Sequence, residues 1–270
     1  MQEKRPGGGG SALTRSCLDL TGRVAVVMGG TSGLGREIAI GLAEHGASVV
    51  PGGRRRELRV QTCREIERLG RRTLEAEVDV RDRRSIAEFR DRIIEKFHRL
   101  DILVNAAGIT FRKRTIDVDD SEWSSIFETN LDGVLHACQA FYPALKANST
   151  GRIINIASLG SYLAFLEVAA YCASKSALLS LTRSLACEWA PDNISVNAIA
   201  PGVFVTELNS DLLSGTDRGR EILLRTPMKR FGQAKELVGA AVLLASDGAS
   251  FITGHCIAVD GGYLASGVNS

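Results

Sequence analysis

The sequence predicts an α/β domain in which a largely parallel sheet is wound by helices on both faces. Three observations point there. A short apolar run without polar alternation stands at 24–28 and a shorter one at 102–104, and such runs suit strands buried on both faces. Between runs of this kind lie stretches at the helical period, such as Ile86, Phe89, Ile93 and Phe97. A glycine-rich turn, Gly29-Gly30-Thr31-Ser32-Gly33-Leu34-Gly35, joins the first strand to the first helix. Strands that alternate with helices imply parallel neighbours joined by right-handed crossovers.

The 270 residues suit one large domain, and 44% hydrophobic residues suffice for a substantial core. A net charge of +2 gives no global argument for nucleic acid or a membrane surface. The arginine runs at 54–56 and 81–84 lack interleaved aromatics and read as solvated faces, so no nucleic-acid partner is expected. The six cysteines form no C-x-x-C pair and read as reduced thiols of a cytoplasmic protein. The four histidines show no metal-ligand spacing, so no metal is expected. Residues 1–18, with Pro6 and a glycine run at 7–10, are predicted to be a disordered tail rather than a secretory signal, and the domain is expected over 19–270. No apolar stretch approaches the roughly 20 residues that span a bilayer, so no membrane partner is expected.

In chain order, the strand at 24–28 leads through the glycines into a helix carrying Ile38, Leu42 and Ala43, which ends at His45-Gly46. A second strand at 47–50 follows, then a helix at 57–69 and a third strand at 73–78. Pro51 is out of place beside an internal strand, because it removes a ladder donor. A helix at 82–97 and a fourth strand at 102–104 come next. A long helical region at 121–147 contains Asn130, a poor mid-helix residue whose side chain competes with the backbone. The fifth strand is at 152–156, a helix at 169–189, and the sixth strand at 195–199. The stretch 207–232 is the least regular and, from about 204, is expected to be a substrate lid. A helix at 236–244 and a seventh strand at 257–259 close the domain.

Two patterns carry chemistry. The glycine turn sits between strand and helix, where unusual φ, close backbone approach and free helix N–H groups suit a pyrophosphate. Gly29, Thr31, Ser32, Gly33, Leu34 and Gly35 are its predicted contacts. A carboxylate about 20 residues beyond the glycines would hold a ribose 2′-OH, but Gly53 stands there, followed by Arg54 and Arg55. Guanidinium suits a 2′-phosphate, and cations at a helix N-terminus otherwise oppose the macrodipole. NADP(H) is therefore favoured, with NAD(H) as the alternative. The second pattern is Tyr171-x-x-x-Lys175, with Ser158 upstream. Four residues apart on a helix, the phenol and amine share a face. An ammonium there is expected to lower the phenol's pKa and make it a usable acid or base.

The G-x-x-x-G-x-G spacing together with Y-x-x-x-K resembles the short-chain dehydrogenase/reductase family, over roughly residues 20–264. Met28 takes the place of that family's threonine, and Ala106 that of the second asparagine in its Asn-Asn-Ala-Gly pattern. The resemblance implies a single doubly wound Rossmann domain with a largely parallel seven-stranded sheet flanked by helices. It implies Tyr171 as general acid and base, Lys175 lowering its pKa and binding ribose, Ser158 holding the substrate oxygen, and Asn130 anchoring a water that leads to Lys175. It also implies cofactor contacts from Asp79 and Val80, from Asn105, Ala106 and Gly108, and from Pro201, Gly202, Phe204 and Thr206. For Asp79 a turn or cap role is equally open; for Asn105 a tie between neighbouring strands is the favoured role.

These readings converge on an enzyme that interconverts a secondary alcohol and a ketone by hydride transfer. Cations at 112–114 and at Arg218, Arg220, Arg225, Lys229 and Arg230 suggest an anionic substrate. Gly262-Tyr263-Leu264-Ala265 resembles gluconate 5-dehydrogenase-type members of the family, which implies a sugar acid or polyol. Leu163, Phe165 and Leu166 suggest instead an apolar pocket and a 3-oxoacyl-thioester reductase. A non-catalytic NADP(H)-binding sensor is the reading from a different class. Family members commonly assemble as homotetramers or homodimers through the two long helices, where Cys138 and Ala140 are small enough for close approach.

Overall fold

The computed structural model describes residues 16–205, 213 and 215–267. Its six strands form one parallel sheet in the order β2-β1-β3-β4-β5-β6. They are β1 (Val24–Met28), β2 (Ser48–Gly52), β3 (Ile102–Asn105), β4 (Gly151–Ile156), β5 (Ile194–Pro201) and β6 (Cys256–Val259). The helices are α1 (Gly33–Glu44), α2 (Arg56–Arg68), α3 (Arg83–Phe97), α4 (Asp120–Phe127), α5 (Gly133–Ala147), α6 (Ala169–Trp189), α7 (Asp217–Arg225) and α8 (Val238–Ala245).

Successive strand residues face opposite sides. Within β1, Val24, Val26 and Met28 join a core with Phe89, Phe141 and Leu178 of α3, α5 and α6. Ala25 and Val27 join a second core with Ile38, Ile66 and Val242 of α1, α2 and α8. Both faces are thus covered, which is why β1 reads as an unbroken apolar run.

The sheet has six strands, not the seven expected. Residues 73–78 lie along the outer edge of β2 but make only the bridge between Gly53 and Glu77. Pro51 explains the loss. Ser48 donates toward β1, to Arg23 O just before it, whereas Val49 turns outward and donates to Arg72 O at 3.1 Å. By alternation Pro51 also faces outward, where it has no N–H to give. The next outward contact is Val78 N to Gly53 O, a long 3.3 Å.

The long helical region is interrupted. Residues Glu128–Asp132 form a π turn between α4 and α5, with Asn130 in its middle. α4 starts on a capping box of Asp119 and Glu122. Within the stretch expected to be a lid, α7 is regular and is capped by Thr216 Oγ1 accepting from Gly219 N at 3.0 Å, while residues 206–212 and 214 lie outside the described residues. At the other end, Cys17 O accepts from Gly248 N at 3.0 Å, so the body of the fold extends to residues counted in the tail. The rest of the expected tail, residues 1–15, lies outside the described residues.

Candidate active site

The strand order changes direction between β1 and β3, and ligands of such sheets bind beyond the carboxyl ends of the strands at that point. The glycine loop leaves β1 there and Ala106-Ala107-Gly108 leaves β3. The two loops touch: a Cβ on Gly29, whose φ is +79°, would fall 2.7 Å from Ala107 Cα. A Cβ on Gly35 would fall 2.3 Å from Gly29 O, so glycine lets α1 begin directly under the loop. Gly33, at φ +53°, faces open space. Ser32 stands at the cap of α1 but its hydroxyl accepts from no N–H of the helix, and no acidic residue stands in the first turn. The helix therefore presents N–H groups and its positive end to an open cradle, the donor set a pyrophosphate needs.

Beside this cradle, Arg55 Nη2 donates to Ser32 Oγ at 3.0 Å. Arg54 is exposed, and its Nη1 lies 3.8 Å from Asp79 Oδ2. Arg81 binds Asp79 more tightly, with Nη2 to Oδ2 at 2.8 Å, and chiefly this bond holds the carboxyl below its ordinary pKa. Thr31 is buried against Gly53, where a Cβ would lie 2.7 Å from its hydroxyl. The cradle, the open face of Gly33 and two guanidiniums without a carboxylate on β2 fit a dinucleotide carrying a 2′-phosphate.

Several predicted contacts turn their side chains elsewhere. Asn105 donates to Asn155 Oδ1 at 2.9 Å and to Cys138 Sγ, tying β3 to β4. Val80 belongs to the α3 core, and Leu34 packs on the α1 core. The Phe204 ring is buried against Gly232, so any contact it makes with a ligand comes from its backbone. Pro201 ends β5, and Gly202 N donates to Val259 O at 2.8 Å. Thr206 lies outside the described residues.

Beyond β4 the second constellation assembles. Ser158 opens a short 3₁₀ turn, and its hydroxyl accepts from Gly160 N at 3.0 Å. The turn is stitched to α6 by Ser161 Oγ donating to Lys175 O at 2.8 Å. A Cβ on Gly160 would sit 2.9 Å from Cys172 Sγ, so glycine brings the turn close to α6. This packing brings the Tyr171 phenol close to the Ser158 hydroxyl. Lys175 Nζ lies 5.8 Å from the centre of the Tyr171 ring and donates to Ile156 O at 2.7 Å.

The electrostatics correct one expectation. Burial raises the Tyr171 pKa, and the nearby Ser158 hydroxyl opposes that only in part. Burial also lowers Lys175 to about 8. The ammonium does not by itself pull the phenol down, because desolvation disfavours both charged forms.

Asn130 is 0% exposed. Its Oδ1 accepts from Ile109 N at 2.9 Å, and its Nδ2 donates to Ile109 O at 3.0 Å and Ser174 Oγ at 3.1 Å. It clasps the loop after β3 to α6 beside Lys175; a Cβ on Gly108 would meet both Asn130 Oδ1 and Lys175 Nζ. Sequence reasoning missed Ser174, Ile109 and the Asn155 Nδ2 donation to Thr182 Oγ1 at 2.9 Å. Asn155 was detectable as a lone amide in an apolar strand; Ile109 acts through its backbone and left no signal.

Two further expectations change. Cys138 is fully buried on the inward face of α5, with its thiol pushed up to about 12, so it cannot line an outer helix surface. The rim cations are largely answered within the chain. Lys113 Nζ meets Glu122 at 2.7 Å, Arg230 meets Glu236 at 2.6 Å, Arg112 pairs with Glu167, and Arg220 pairs with Asp217. Arg225 stacks on Tyr263 at 5.6 Å. Among the described residues, no group of three or more His, Cys, Asp or Glu side chains could hold a metal, and no helix is long and apolar enough to cross a membrane. All six cysteines are unpaired.

A family model named enoyl-(acyl carrier protein) reductase matches residues 29–264. The chain is 40% identical to a 2-dehydro-3-deoxy-D-gluconate 5-dehydrogenase from Dickeya dadantii, over 92% of this chain and 97% of that one. It is 33% identical to a 3-oxoacyl-[acyl-carrier-protein] reductase from Thermotoga maritima, over 91% and 99%. Its fold matches a crystal structure of a gluconate 5-dehydrogenase from Burkholderia cenocepacia J2315 in complex with NADP and tartrate, with a TM-score of 0.88, 36% identity and coverage of 93% and 98%. The glycine cradle, the Tyr171–Lys175 helix and these likenesses over nearly the whole chain lead to one conclusion: the chain belongs to the short-chain dehydrogenase/reductase family and is an oxidoreductase.

Proposed function

We propose that the protein interconverts a secondary alcohol and a ketone with NADP(H), and that its substrate is a sugar acid or related polyol. The observation that carries the reaction is the convergence on α6: the centre of the Tyr171 ring lies 5.8 Å from the buried Lys175 ammonium, and the turn that carries Ser158 is stitched to the same helix by Ser161. The cofactor supplies or accepts the hydride when bound. Gly29, Gly33, Gly35 and the start of α1 would hold its pyrophosphate, and Arg54 and Arg55 its 2′-phosphate. Ser158 donates to the substrate oxygen as charge develops there. Tyr171 gives that oxygen a proton in reduction and removes it in oxidation. Its raised pKa suits the donating role, since the phenol stays protonated until needed. Lys175 steadies the phenolate and carries the proton onward, and Asn130 fixes the backbone around it.

The substrate class rests on the relatives, because the rim cations are mostly paired. Steady-state assays with gluconate, 2-dehydro-3-deoxy-D-gluconate, glycerol and an acetoacetyl thioester, each with NADP(H) and NAD(H), test it. Turnover of a sugar acid with NADP(H) is expected; turnover of the thioester alone would overturn the substrate assignment. A specific observation favours that second reading. Leu159, Leu213, Ile222 and Tyr263 form an apolar cluster backed by Phe165 and Phe231, a lining suited to an acyl chain.

Self-association as a homotetramer or homodimer through α4, α5 and α6 is part of this proposal. It is supported by Trp123 on α4, which is 41% exposed and stacks on Phe127. Sedimentation at micromolar concentration tests it. The six free thiols suit the cytoplasm.

A further inference from the structure

We propose that Arg59 is a positioning residue for recognition of the cofactor's 2′-phosphate, holding the loop after β2 in the shape that presents Arg54 and Arg55. This deepens the NADP(H) reading above and rests on it.

Arg59 lies in the first turn of α2 and is 4% exposed, whereas Arg54, Arg55 and Arg56 before it are exposed. The other buried positions of α2 are Thr62, Cys63 and Ile66, so Arg59 puts a charge where an amphipathic helix places an apolar or small side chain. A buried guanidinium is costly unless its donors are used. Here each nitrogen is used. Nη1 donates to Gly53 O at 3.0 Å and to Arg54 O at 2.6 Å. Nε donates to Glu75 Oε1 at 2.7 Å, and Nη2 lies 3.3 Å from Glu77 Oε2.

The two carbonyls belong to consecutive residues, so the backbone curls around one nitrogen. The curl falls where strand pairing is weakest, just past Pro51, which gives no N–H to the neighbouring segment. The planar fork of Arg59 bridges that gap, joining the end of β2 to Glu75 and Glu77. What the curl carries is the pair of exposed guanidiniums. Arg55 reaches Ser32 at the N-terminus of α1, and Arg54 reaches toward Asp79 across the groove. Released from Arg59, both would lose their fixed bearing on the cradle, while the cradle's own glycines and helix end would be untouched. The loss should therefore fall on the 2′-phosphate and spare the rest of the dinucleotide.

The test is titration of the purified protein with NADPH, NADH and 2′,5′-ADP. For Arg59→Met, NADPH and 2′,5′-ADP are expected to weaken about 10-fold and NADH by no more than about 2-fold, with the kinetic loss in KM for NADPH. Arg59→Lys should recover part of the loss, because an ammonium reaches one carbonyl but cannot span the set. Combined with Arg54→Ala, Arg59→Met should add less than its separate effect, since it acts through the same group. Equal weakening of NADPH and NADH, or full additivity with Arg54→Ala, would overturn the proposal. If Arg59→Met does not fold, Glu75→Gln loosens the same clamp from its solvent side; it is expected to lower the NADPH-to-NADH preference about 3-fold, and an unchanged preference overturns the proposal equally. A wild-type protein that binds NADH as tightly as NADPH would sink the cofactor reading instead, a result separate from any Arg59 effect.

Discussion

The Lys175 ammonium donates to the Ile156 carbonyl across 2.7 Å from a position only 4% exposed. A single carbonyl is thin compensation for a buried charge, and burial lowers the lysine from 10.5 to about 8. Below pH 8 the folded and unfolded chains both hold the proton, and the folded chain bears the whole desolvation cost. Between about 8 and 10.5 the folded chain loses its proton first, so stability from this group rises with pH. Lys175→Met removes the cost. The shift is worth about 3 kcal/mol, and the orphaned carbonyl takes back about 1 kcal/mol. The variant should be inactive yet about 2 kcal/mol more stable at pH 7, with the gap closing toward pH 10. Urea melts at both pH values check this; a variant no more stable than wild type at pH 7 would contradict it.

Gly160 and Cys172 set how closely the Ser158 turn approaches α6. Gly160→Ala places a methyl 2.9 Å from Cys172 Sγ. Either the thiol swings aside or the turn shifts, and a shifted turn carries Ser158 with it. We expect kcat to fall about 10-fold with cofactor affinity retained. Adding Cys172→Ala should restore most of the rate by clearing the space. A double variant as slow as Gly160→Ala alone would place the fault elsewhere.

Asn130 makes three hydrogen bonds from a fully buried side chain. Asn130→Ala leaves Ser174 and the Ile109 backbone short of partners, at a cost of about 2 kcal/mol. The melting temperature should fall by about 5 °C, and turnover should fall with it as the loop after β3 loosens. An unchanged melting temperature would show that water replaces the amide without loss.

The legible parts of the fold were those decided locally. The unbroken apolar run at Val24–Met28 and the helix Ala169–Trp189 need nothing beyond their own residues to be read. The missing seventh strand was not local: Pro51 was visible, but which edge of β2 it spoils depends on register. Asn130 marked the break in the long helix, yet a π turn could not be told from a kink without the hydrogen bonds. Cys138 reads as a surface residue when helical phase is unknown, and nothing in the sequence sets Arg59 apart from the other arginines around it. The pKa of Tyr171 was misjudged for a related reason. Proximity to Lys175 follows from spacing, whereas the burial that outweighs it follows from packing.

The central claim is that Tyr171 hands the proton to the carbonyl oxygen. Its most direct test is Tyr171→Phe, assayed for ketone reduction by NADPH consumption alongside NADPH binding. We predict that NADPH affinity stays within about 3-fold while kcat falls by about 10²-fold or more. Near-normal turnover with intact binding would contradict the account.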